Sequence, residues 1–211
     1  VRLAFEFSDW GSSAGRGLAL DNVRLTAYRA LRVLPATQLS ASDTHELGPF
    51  ATVHFYDDQQ QLLATLENLS SADFGCTTVE IDRAGTGSSD FWDALDDGGD
   101  LADKTLRITP TLTPANSQYR ITLYYRPEEV AGWEAATGKS WASVARIVKS
   151  GGAISQVTPA TPYPAGPIEQ AVDAVSSFGP GGDYAISATF SSGFSGFGVG
   201  DPDSGTPFPV D

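Results

Sequence analysis

The sequence contains no methionine and a single cysteine, Cys76, so no internal disulfide can staple the fold. Cys76 is expected to be a buried, small apolar side chain. A reactive thiol needs a basic neighbour, and Phe74–Thr78 supplies none. Positive charge is also scarce: 13 Lys and Arg stand against 26 Asp and Glu, a formal net charge of −13. Such a field repels a phosphate backbone and argues against nucleic acid as a partner. No run approaches the ~20 apolar residues of a membrane span, so membrane insertion is not expected. The chain opens without a basic segment followed by an apolar one, the pattern of an export signal.

Catalytic residue types are thin on the ground. His45 and His54 are the chain's two histidines, and neither has a metal-ligand spacing. His54 alternates with Val53 and Phe55, which predicts a solvated strand face. Gly11-Ser12-Ser13-Ala14-Gly15 matches G-x-S-x-G, but the nucleophile elbow needs a helix after the serine, and here a second strand follows. A turn is the better reading. Gly196-Phe197-Gly198-Val199-Gly200 lacks the strand–turn–helix setting of a dinucleotide site and reads as a flexible edge. The chain itself is therefore expected not to be an enzyme.

What is abundant is turn chemistry: 22 Gly and 13 Pro favour many short strands over a helical bundle. Period-2 alternation marks Val1–Ser8 and Leu18–Thr26 as an opening hairpin. A hairpin alone cannot form a stable domain, so upstream sequence or a partner chain is expected to complete it. Residues 31–49 read as a linker, with Pro35 and the polar run Gln38–Glu46. A second region begins at Phe50, with strands expected at Ala51–Tyr56, Gln61–Glu67, Thr77–Asp82, Lys104–Thr109, Gln118–Tyr125, Ser143–Lys149 and Asp183–Phe190. Asp57-Asp58-Gln59-Gln60 is the turn between the first two. One helix is expected at Pro127–Thr137, with Pro127 in the first position, Glu128 and Glu129 at the positive end of the dipole, and Gly138 closing it. The fold class that follows is all-β: an antiparallel sandwich over residues 50–200 with one short covering helix, preceded by a hairpin at 1–30 and followed by a tail at 201–211.

Carboxylates supply the candidate metal ligands. Asp93, Asp96, Asp97, Asp100 and Asp103 cluster around Gly98-Gly99, and flexible Asp-rich loops can offer Ca²⁺ its six to eight oxygens. A solvated acidic turn fits the same residues. Asp201 and Asp203 form a smaller candidate of the same kind. Trp10, Trp92, Trp133 and Trp141, with Tyr124, are expected to fill the core or cover hairpins, with a platform for sugars or peptides as the alternative.

Two stretches resemble known modules. Phe5-Glu6-Phe7-Ser8-Asp9-Trp10, continued by Gly17-Leu18-Ala19-Leu20-Asp21-Asn22-Val23-Arg24-Leu25, resembles the end of jelly rolls of the MAM, reelin-repeat or carbohydrate-binding kind. Such jelly rolls often finish on "ALDDV", and the resemblance implies that Asp21 ligates a structural Ca²⁺. Residues 51–200 resemble C-terminal modules of large exported proteins of the Bacteroidota. The likeness is carried by Phe74–Gly85, Asp103-Lys104-Thr105, Ile121-Thr122-Leu123-Tyr124-Tyr125, Glu129-Val130-Ala131-Gly132-Trp133-Glu134 and Phe190–Gly200. The closing Thr206-Pro207-Phe208-Pro209-Val210-Asp211 resembles the junction that precedes a type IX secretion sorting domain. The resemblance implies a non-catalytic structural or adhesive module outside the cell, binding a surface glycan or a protein. The alternative it implies is the accessory domain of a secreted zinc metallopeptidase or other hydrolase whose catalytic part lies upstream.

Overall fold

The computed structural model describes residues 32–35, 37–38, 40–91, 99–157, 169–191 and 193–201. The opening hairpin at 1–30, its jelly-roll assignment and the tail beyond 201 lie outside these residues. In chain order the strands are β1 (Arg32–Val33), β2 (Ser42–Glu46), β3 (Thr52–Tyr56), β4 (Gln61–Asn68), β5 (Cys76–Arg83), β6 (Ser88–Phe91), β7 (Gly99–Ala102), β8 (Thr105–Pro110) and β9 (Gln118–Tyr125). Helix α1 (Pro127–Thr137) and the short α2 (Trp141–Val144) come next. They are followed by β10 (Arg146–Ser150), a 3₁₀ turn at Ile154–Gln156, β11 (Glu169–Ala171), β12 (Ala174–Phe178), β13 (Asp183–Ser191) and β14 (Gly196–Asp201).

These strands form two sheets. The first runs β4-β9-β13-β12, with β3 antiparallel to β4 and the short β1 parallel to it. The second runs β11-β10-β14-β8-β5-β2, and the β6–β7 hairpin joins it where β7 pairs with β14. The protein is an all-β sandwich, as the alternation predicts. Tyr119, Ile121, Leu123 and Tyr125 of β9 face Val79 and Ile81 of β5, Leu106 and Ile108 of β8, and Phe197 and Val199 of β14 in one core. Burying each such side chain contributes about 1.5–3 kcal/mol, and this term holds the layers together.

Helix α1 has the predicted boundaries. Gly138 adopts the left-handed conformation at its end (φ 70°), and its N–H donates to Glu134 O at 2.8 Å. Val130 and Trp133 are buried against the sandwich. A Cβ on Gly132 would clash with Thr86 O, so the helix rests on that backbone through a glycine.

Three expectations are corrected. The stretch 31–49 is not a bare linker: β1 and β2 pair in the two sheets, and Leu34, Ala41 and Leu47 enter the core. Its polar composition reflects an edge strand, which displays charge to solvent. Gly196–Gly200 is a sheet interior, flanked by β10 on one side and by β8 and β7 on the other. Its glycines admit close cover: a Cβ would meet Gly152 O from Gly196 and Asp100 O from Gly200. Cys76, at the first position of β5, is exposed.

Candidate binding cleft

Strand β2 is the last strand of one sheet and β3 of the other, so the two meet along one side of the sandwich. The join is made by a side chain. Asp43 Oδ2 accepts the Tyr56 N–H at 2.8 Å, a bond that a neighbouring strand would otherwise supply. The same oxygen lies 2.9 Å from His45 Nε2, and Asp43 Oδ1 accepts the Thr44 N–H. Asp43 and His45 share a face because strand residues two apart do.

Beyond Tyr56 the chain turns through Asp57–Gln60. Asp57 N–H donates to Gln61 O and Gln60 N–H to Asp57 O. Asp57 Oδ1 accepts from the N–H groups of Gln59 and Gln61. Gln60 closes the loop in the left-handed region (φ 64°), a position that favours glycine. Asp57 is only 3 % exposed, and its Oδ2 is buried with no hydrogen-bond partner. Leaving such an oxygen unpaired costs about 1–3 kcal/mol.

Between these elements lies an open cleft of about 580 Å³, lined by Ser42, Asp43, His45, His54, Tyr56, Asp57, Asp58 and Gln60. Three carboxylates and two imidazoles line it, and among the described residues no Lys or Arg does. His54 is braced from β4 and β9: its Nδ1 is 2.8 Å from Thr65 Oγ1, which is 2.8 Å from the Tyr124 hydroxyl. Burial raises the Tyr56 and Tyr124 hydroxyls above the ordinary tyrosine range, so both stay protonated at neutral pH. Strand alternation places Ser42 with Thr44, on the face opposite Asp43 and His45, so the three do not form a nucleophile–base–acid line.

Of the acidic residues nominated from the sequence, Asp100 of β7 and Asp201 of β14 are cross-strand partners. Asp100 and Asp201 both pair with Lys139, at 3.0 and 2.9 Å. Burial works against the Lys139 charge, but the hydrogen bonds to Asp201 and Asp100 outweigh it and hold the ammonium above its usual range. Asp103 Oδ2 accepts the Gly87 N–H and its Oδ1 the Ser89 hydroxyl, which fixes the turn before β6. Asp21, Asp93, Asp96, Asp97 and Asp203 lie outside the described residues. Among the described residues no group of three or more His, Cys, Asp or Glu is placed to hold a metal ion. Trp133 and Trp141 are core residues, packed edge to face at 5.3 Å, and Tyr124 packs on Phe178. Among the described residues no helix is long and apolar enough to cross a membrane.

The cleft residues escaped the sequence reading because each was weighed alone. The available signal was the pair of i, i+2 repeats, Asp43/His45 and His54/Tyr56, on strands flanking a turn. Only the sandwich brings the two repeats together. No family model, curated protein or solved structure matches the chain.

Proposed function

We propose that this chain is a non-catalytic binding module of an exported bacterial protein, displayed outside the cell, and that the cleft between β2 and β3 takes its ligand. The observation that carries this reading is a cleft whose described lining brings three carboxylates and neither lysine nor arginine. Such a surface favours a ligand that brings positive charge and N–H donors. An exposed arginine or lysine of a protein partner has that chemistry. The Asp43–Tyr56 bond and the bracing of His54 by Thr65 hold the walls before the ligand arrives, which lowers the ordering cost of binding. Export and display rest on the likeness of residues 51–200 to modules of type IX secretion cargo.

The test is a screen of the full chain against peptide and glycan arrays, followed by calorimetry on the hits. An Asp58→Lys variant, altered at an exposed turn position, should lose binding and keep its circular dichroism spectrum. Binding should also weaken as salt is raised. Equal affinity of Asp58→Lys and the parent would place the ligand elsewhere. Turnover of a ligand by the purified chain would remove the non-catalytic reading.

A further inference from the structure

Lys104, just before β8, and Glu129, in the first turn of α1, form a buried pair with side chains 3 % and 2 % exposed. Lys104 Nζ lies 2.8 Å from Glu129 Oε2 and 4.7 Å from the centre of the Tyr125 ring. The Tyr125 hydroxyl donates to Lys104 O at 3.1 Å, which fixes the backbone from which the amine projects. An ionised pair in such a place gives up much of its hydration. Burial pushes the Lys104 amine down and the Glu129 carboxyl up, while their mutual attraction opposes both.

The two oxygens of Glu129 are treated differently. Oε2 also accepts the Arg126 N–H at 2.6 Å. Oε1 is buried and has no hydrogen-bond partner. A primary amine is therefore held against a desolvated carboxyl group with one oxygen gripped by a backbone donor and the other unheld.

We propose that Lys104 and Glu129 join through an intramolecular amide bond once the sandwich has folded, the amine, the carboxyl and the Arg126 N–H forming its reaction site. The step is a dehydration. A proton passes from the ammonium to the Glu129 carboxylate, leaving a neutral amine beside a neutral acid. The Nζ lone pair attacks Cδ, and negative charge builds on Oε2, where the Arg126 N–H already points. A second proton moves from Nζ to Oε1, the Cδ–Oε1 bond breaks, and water leaves. Both protons of that water come from Nζ, so no oxidant, reductant or second reactant is needed. The enclosed geometry supplies the effective concentration that makes amide formation feasible. The product keeps Oε2 as a carbonyl on the Arg126 N–H and removes two buried charges and the orphaned oxygen. It also ties α1 to the start of β8 and restricts the unfolded chain, as any cross-link does.

The deciding measurement is the intact mass of the purified full chain under denaturing conditions, with peptide mapping. The expected mass is one water below that of the sequence. The digest should hold a branched peptide joining Lys104 to Glu129, with no tryptic cleavage after Lys104. A Lys104→Arg variant, which keeps the charge without a primary amine, should show its full mass. A parent chain at full mass that trypsin cleaves after Lys104 overturns the proposal. So does a lost water that maps elsewhere, such as to an Asp-Gly pair. If Lys104→Arg fails to fold, the branched peptide of the parent chain alone decides.

Discussion

The carboxylate of Asp43, on the last strand of one sheet, holds the main-chain N–H of Tyr56, on the last strand of the other, at 2.8 Å. This bond spans the side of the sandwich where, among the described residues, neither strand has another neighbour, so its removal tests how far the two sheets depend on it. Asp43→Ala should lower stability by about 1–2 kcal/mol, because a half-buried donor loses its partner. Urea denaturation measures this, and an unchanged midpoint would mean that water replaces the carboxylate without loss. The variant should also weaken any ligand that the cleft takes.

Gln60 pays a conformational penalty at φ 64°. Gln60→Gly should relieve it and raise stability by about 0.5–1 kcal/mol, despite the greater entropy of glycine in the unfolded chain. Thermal melts of the two proteins compare directly, and a lower midpoint for the glycine variant would show that the Gln60 side chain makes a compensating contact.

Gly132 should respond in the sense opposite to helix propensity. In an exposed helix Gly→Ala gains about 1 kcal/mol. Here the added Cβ would run into Thr86 O, so Gly132→Ala should cost about 2 kcal/mol or more as α1 is pushed off the sheet. Chemical denaturation should show a loss, and a gain would mean that the helix can shift without effect on packing.

The alkaline limb of stability should be set by buried tyrosines. Burial raises the hydroxyls of Tyr119, Tyr124 and Tyr125 above the ordinary tyrosine value of about 10. A group raised in the folded state stabilises it fully below its unfolded pKa, and that contribution falls as pH rises through the folded value. Stability should therefore be level on this account below about pH 10 and decline above it. Tyrosinate absorbance should appear together with loss of tertiary structure. Tyrosines that ionise in a folded chain would contradict this, and Tyr119→Phe should make the decline shallower.

Much of the sandwich was legible because alternation is a local property. Gln118–Tyr125 and Pro127–Thr137 have the boundaries read from sequence, set by a period-2 run and by Pro127 and Gly138. Gly196–Asp201 escaped because glycines erase the polar half of the alternation, and their reason for being there is the backbone that covers them. β2 escaped because Ser42–Glu46 is polar on both faces, as suits an edge strand. The acidic loop shows the same limit of local reading. Asp100 looked like a free carboxylate in sequence, yet its partner Lys139 is contributed from beyond α1. The cleft belongs to the same class of long-range fact, since Asp43 and Tyr56 meet only after both sheets have formed.

The place of β14 sets a timetable for folding. Its pairing with β10 on one edge and with β8 and β7 on the other is what links the β10–β11 pair to the rest of the second sheet. A nascent chain that has not yet delivered residues 196–201 holds three pieces of the second sheet, β10–β11, β8–β5–β2 and β6–β7, that cannot be joined. Local turns form early, but the wall opposite the first sheet must wait until β14 has arrived. Such late closure gives slow, cooperative folding dominated by distant pairings.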